Sequence, residues 1–169
     1  MAWWRERLEQ LDQGKPAPAE PRLQAVAEEL LPRGLSGIEL SRLEDAWLPL
    51  LEPLPWGDLQ EQGLALRGRI LFGGGARLLG EQPTRSESAG ALWSLVDGAT
   101  HSSDPQSRAL MLDHARRVLA GIADRPPRRI RPLTVLAALA ADDLRGDDKR
   151  LRRVRVAIRH LLFGTFPKR

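Results

Sequence analysis

The segment ADDLRGDDKR, residues 141–150, places four carboxylates, Asp142, Asp143, Asp147 and Asp148, in one short stretch. Hard cations such as magnesium are held by several carboxylate oxygens at once, so this is the first place to look for metal chemistry. The spacing argues for a duller role. Gly146 is expected to end one helix and Asp147 to cap the next, with Arg145, Lys149 and Arg150 close enough to balance the charge. His101, His114 and His160 lack metal-ligand spacing, no HExxH or GxSxG pattern occurs, and there is no cysteine. His114 is expected at the surface or at a boundary, and His160 on a basic face. Nothing in the chain proposes a nucleophile, and no metal-ligating set is assigned.

Two stretches suggest binding rather than catalysis. In ILFGGGARLLG, Gly73, Gly74 and Gly75 interrupt a helical pattern, each costing roughly 1 kcal/mol against alanine. A phosphate-cradling loop would need a GK[ST] ending and a preceding strand, and both are missing. Gly68, Gly73, Gly74, Gly75 and Ala76 are instead expected to form a stripe of small residues. Such a stripe lets another helix approach closely or leaves room for an apolar ligand. In KRLRRVRVAIRHLLFGTFPKR, Arg150, Arg152, Arg153, Arg155 and Arg159 decorate a helix whose other stripe is aliphatic. That helix either packs its apolar face on the rest of the protein, leaving the arginines wet, or lies on an anionic membrane surface. Nucleic acid is the weaker partner: tyrosine is absent, and only Phe163 and Phe166 are at hand for stacking.

The elements that must carry these residues read as helices throughout. Trp4, Leu8 and Leu11 share one face of a first helix that stops at Gly14, before the stiff KPAPAEP linker. A second helix spans about 20–31 and stops near Pro32 and Gly34. Ser36 with Glu39, Asp58 with Glu61 and Thr84 with Glu87 have capping-box spacing and are expected to open three further helices. The first of these should kink or end near Leu51, because Pro49 falls inside its pattern. Asp104 caps a sixth helix with Pro105 at its first position. Pro132 starts a seventh, and Asp147 caps the eighth, whose stripe is Leu151, Val154, Ile158, Leu161 and Leu162. The chain is expected to be one all-α domain over 1–169, with its basic helix at about 147–163.

Composition bounds the partners. Residues 1–124 hold 13 basic and 18 acidic side chains, a balance of −5, whereas residues 125–169 hold 13 and 4, a balance of +9. The last quarter therefore favours anionic partners. The first residues lack a signal-peptide pattern, and PLTVLAALAA at 132–141 is about half a membrane span. A cytoplasmic protein is expected, peripheral at the inner membrane face if the basic helix docks there.

Taken in order, AWWRERLEQLDQG, PAEPRLQAVAEEL, LRGRILFGGGARLLGE and AGALWSLVDGATHSSDP resemble the squalene/phytoene synthase family. The likeness is to divergent bacterial members and the related mitochondrial complex I assembly factor. The resemblance implies a helical bundle of the isoprenoid synthase type, shortened at its N-terminus. It further implies a pocket near Gly73, Gly74, Gly75, Ala76, Trp93 and Asp97. Active members join prenyl diphosphates with magnesium held by two aspartate-rich helices. Here the first motif lies outside the chain, and the second is reduced to Asp97 among Trp93, Ser94, Leu95 and Val96. The expectation is a catalytically degenerate module that binds an isoprenoid or lipid, or serves in assembly, with no cofactor. The alternative is a magnesium-dependent prenyltransferase represented without its N-terminal helices. The adjacent Trp3 and Trp4 would then lose part of their cover, which a partner protein or self-association could supply.

Overall fold

A computed structural model of the chain describes residues 2–122, 125–145 and 150–167, apart from the side chains of Ala2, Arg150 and Leu151. The expected helix break at Gly146 and cap at Asp147, with Asp148 and Lys149, lie outside the described residues. Among the described residues there are eight α-helices and no strand: α1 (Ala2–Asp12), α2 (Pro21–Ala25), α3 (Gly37–Trp47), α4 (Asp58–Leu78), α5 (Glu87–His101), α6 (Pro105–Gly121), α7 (Arg131–Asp143) and α8 (Arg150–Phe163). The second helix continues as a π turn over Val26–Leu30 and a 3-10 turn over Leu31–Arg33, and Gly34 ends it at φ 84°. That left-handed conformation suits glycine.

Local chemistry sets several of these boundaries. The Ser36 side chain accepts from the Glu39 amide at 3.0 Å while the Glu39 carboxylate accepts from the Ser36 amide at 3.1 Å, a complete capping box. Asp104 caps α6 by accepting from the Ser107 amide at 2.6 Å, with Pro105 in the first turn. Two expected boxes do not form. Gly57 precedes α4, its amide donating to Gln60 at 2.9 Å, and Glu61 turns inward. A 3-10 turn over Pro83–Arg85 precedes α5, where the Ser86 hydroxyl donates across to the Phe72 carbonyl at 2.7 Å. Thr84, the expected cap, lies inside that turn, and the hydroxyl next to α5 goes to a buried carbonyl on α4.

Helix α5 is the centre of the core. Ala91, Leu92, Ser94 and Leu95 are fully buried against α4, α6 and α7, with Leu64, Phe72, Met111 and Ala137 completing the cluster. Helices α4 and α5 cross at Gly68 and Gly90 in backbone contact: a Cβ on Gly68 would lie 2.0 Å from the Gly90 carbonyl oxygen. Only glycine fits there. On the far side of α4, α3 carries α1, which docks through Arg5 (2.9 Å to Glu44) and through Asp12, whose carboxylate accepts from the amides of Gly37 (2.6 Å) and Ile38 (2.8 Å). Asp12 thereby caps the start of α3 from another helix. Trp3 and Trp4 meet edge to face at 5.2 Å and remain exposed, so α1 does not cover its own indoles.

Candidate functional site

The glycine run does not form a single stripe. Gly68 packs against α5, whereas a Cβ on Gly73 would approach Pro83 at 3.3 Å, one on Gly74 the tip of Leu35 at 3.1 Å, and one on Gly75 the tip of Leu133 at 3.0 Å. Three consecutive positions on a helix point about 100° apart, so they face different neighbours. What Gly73, Gly74 and Gly75 share is a groove of about 590 Å³ beside α3 and α4. Its walls include Leu35, Leu40, Leu43, Leu66, Ile70 and Leu78, and Arg42, Arg69 and Arg77 also line it. Arg77 is occupied, donating to Glu39 at 2.6 Å and to the Gly34 carbonyl at 2.7 Å. Burial alone would push the Glu39 carboxyl up, but the Ser36 amide and Arg77 outweigh it and hold it below its ordinary value. Arg42 and Arg69 are exposed and have no ion-pair partner among the described residues. Ala76 is fully buried in the core and lines no part of the groove.

Trp93 and Asp97 belong to a different recess, of about 270 Å³, which they line with His101, Leu136, Asp143 and Arg153. Here the Arg67 guanidinium lies between two indoles, 5.0 Å from the Trp47 ring centre and 5.2 Å from that of Trp93, and it donates to the Asp97 carboxylate at 3.3 and 3.4 Å. Phe72 stacks on Trp93 at 5.6 Å. Guanidinium over indole is favourable by about 0.5–1 kcal/mol per face at partly exposed sites. The magnesium site implied by the family resemblance does not fit this arrangement. Asp97 is committed to a fixed cation, and among the described residues no group of three or more His, Asp or Glu side chains is placed to share a metal ion. Nothing local in the sequence links Trp47, Arg67 and Trp93; the crossings of α3, α4 and α5 bring them together.

The C-terminal helix turns out the opposite way from a packed bundle helix. Val154, Ile158, Leu161, Leu162 and Phe163 are between 43% and 59% exposed. The less exposed side of α8 carries Val156 and Ala157 together with polar contacts to α7. Arg152 reaches the buried Asp142 at 2.9 Å, and Arg153 pairs with Asp143. His160 is fully buried, its Nε2 2.8 Å from the Thr134 hydroxyl and its Nδ1 3.0 Å from the Thr165 carbonyl. A carbonyl can only accept, so Nδ1 carries the proton. Asp142 is therefore buried where α8 meets α7, Asp143 stays exposed while pairing with Arg153, and His160 lies inside rather than on the basic face. Of the five arginines expected on an anionic surface, Arg152 and Arg153 face these carboxylates. Arg155 and Arg159 are exposed, and the Arg150 side chain lies outside the described residues. His114 sits at a boundary as expected, its Nδ1 3.3 Å from the buried Glu61.

No helix among the described residues is long and apolar enough to cross a membrane. Comparison with protein-family models, with curated proteins and with solved structures finds nothing that matches this chain.

Proposed function

We propose that this chain is a non-catalytic binding module on a helical bundle of the isoprenoid synthase type, and that it takes an amphiphile with an isoprenoid or acyl chain and an anionic head. The observation that carries this reading is the groove beside Gly73–Gly75: its apolar walls are leucine and isoleucine, and against Glu39 and Glu87 it sets Arg77 and the exposed Arg42 and Arg69, the last two without a carboxylate partner among the described residues. An apolar chain gains about 25 cal/mol for each Å² it removes from water there. A phosphate or carboxylate head suits these two guanidiniums. The non-catalytic half is supported by Arg67, which already neutralises the one carboxylate at the place where the resemblance puts a metal-binding motif.

A second observation favours work at an anionic membrane surface. Helix α8 exposes five large apolar side chains, carries Arg155 and Arg159 beside them and contains no acidic residue. That is the pattern of a helix lying in a bilayer interface.

Titration calorimetry with farnesyl diphosphate, with and without magnesium, tests the groove, alongside an assay for released inorganic diphosphate. Saturable binding without release is expected. Arg42→Gln/Arg69→Gln should weaken binding roughly tenfold, and Gly74→Leu should block it. Release of diphosphate overturns the non-catalytic reading in favour of a prenyltransferase; absence of binding overturns the groove. For α8, the protein should co-sediment with phosphatidylglycerol vesicles, and Ile158→Ser/Leu162→Ser should abolish this without lowering stability.

A further inference from the structure

The basic charge of the last quarter of the chain is not spread evenly. Arg125, Arg145, Arg152 and Arg159 line a single cavity of about 440 Å³ between α7, α8 and the segment after Gly164, closed in part by Thr165 and Phe166. One carboxylate, Asp142, lines it too, and Arg152 holds that carboxylate from 2.9 Å. Four guanidiniums against one carboxylate, among the described residues, leave a surplus of three positive charges on the lining. Among the described residues, Arg125, Arg145 and Arg159 have no ion-pair partner. The Thr165 hydroxyl oxygen is buried without a hydrogen-bond partner. A buried hydroxyl without a partner is costly, and like charges gathered around one recess repel. A single ligand relieves both costs: an oxyanion that accepts from the guanidinium forks and from the hydroxyl. Arginine's planar fork matches phosphoryl oxygens in pairs, and the size of the cavity suits more than one phosphoryl group.

We infer that this cavity is a binding site for a phosphorylated anion, either a free polyphosphorylated compound or a phosphorylated lipid headgroup. It shares no lining residue with the groove beside Gly73–Gly75, so the two sites stand or fall separately. Arg155 lies on the same helix but outside the cavity, which makes it the control for diffuse charge.

The test uses the full chain at fixed ionic strength, with two probes. One is inorganic tripolyphosphate followed by calorimetry, and the other is phosphatidylcholine vesicles with and without phosphatidic acid. The variants are Arg125→Gln/Arg159→Gln, Thr165→Val and Arg155→Gln, each checked for helix content. One-site binding of tripolyphosphate is expected, weakened roughly tenfold or more by the double arginine substitution and severalfold by Thr165→Val, and unchanged by Arg155→Gln. Binding confined to phosphatidic acid vesicles that Thr165→Val weakens also supports the site and assigns it to a lipid headgroup, because Thr165 lines the cavity and lies outside the docking face of α8. Failure of both probes to bind overturns the inference. So does a loss of tripolyphosphate binding from Arg155→Gln as large as that from the double substitution, or vesicle binding that Thr165→Val leaves unchanged when tripolyphosphate does not bind.

Discussion

Replacing Gly68 with alanine should separate α4 from α5 and weaken the whole bundle. The added Cβ would sit 2.0 Å from the Gly90 carbonyl oxygen, 2.4 Å from its carbon and 2.8 Å from the Ser94 Cβ. Two of these three atoms are backbone, so no rotamer change clears them. The helices must part by more than about 1 Å to restore ordinary van der Waals contact. That movement loosens Leu64, Phe72, Leu92 and Leu95 together, since all lie in one buried cluster. Overpacking of this kind costs about 1–3 kcal/mol, and more where the backbone cannot give. Alanine returns about 1 kcal/mol of helix propensity. The strain should win by about 2 kcal/mol, lowering the melting temperature by roughly 4–8 °C for a chain of this length. Gly74→Ala provides the contrast. Its Cβ meets only the flexible Leu35 tip, at 3.1 and 3.9 Å, so propensity should dominate and the melting temperature should hold or rise by up to about 4 °C. Thermal unfolding followed by circular dichroism, with urea midpoints as a second measure, reads both variants. A Gly68→Ala protein as stable as the parent would refute the backbone contact between α4 and α5.

Burial holds the His160 imidazole below its ordinary value, Arg131 acts in the same direction, and the hydrogen bond to Thr165 offsets them only in part. The unfolded chain therefore takes up a proton near pH 6.5 while the folded one does not, so stability should fall as pH drops below about 6.5, until the depressed folded value is reached. His160→Leu should flatten that slope between about pH 7.5 and about pH 5.5, and urea midpoints that fall as steeply in the variant would contradict the assignment. Arg67→Ala strands Asp97 and uncovers both indole faces, so a loss of about 2 kcal/mol is expected, with a change in tryptophan fluorescence; an unchanged spectrum would count against the Trp47–Arg67–Trp93 stack. Asp12→Ala removes the cap that α1 supplies to α3 and should cost about 1 kcal/mol, whereas Asp12→Asn should retain part of it. Equal losses in the two variants would place the effect elsewhere.

Helix number and several helix ends were legible from local sequence because their chemistry is satisfied within one turn. Ser36 and Glu39 close on each other, and Asp104 bonds three residues on, whatever the rest of the chain does. The same spacing misled at Asp58–Glu61 and Thr84–Glu87: α4 is closed one residue earlier by Gly57 and Gln60 while Glu61 faces His114, and Thr84 lies inside a 3-10 turn so that α5 starts only at Glu87. The glycine run was visible as an anomaly, but which glycine meets backbone depends on where α5 crosses, and that falls at Gly68 and Gly90. Periodicity likewise showed that α8 has an apolar side and a basic side. It could not say which would be buried. That was decided by α7, whose Thr134, Asp142 and Asp143 receive His160, Arg152 and Arg153 and leave the aliphatic stripe in water. Sequence alone thus determined an all-helical chain with a basic C-terminal quarter. The groove, the guarded Asp97 and the arginine-lined cavity came from tertiary structure, because each joins residues tens of positions apart that no local interaction brings together.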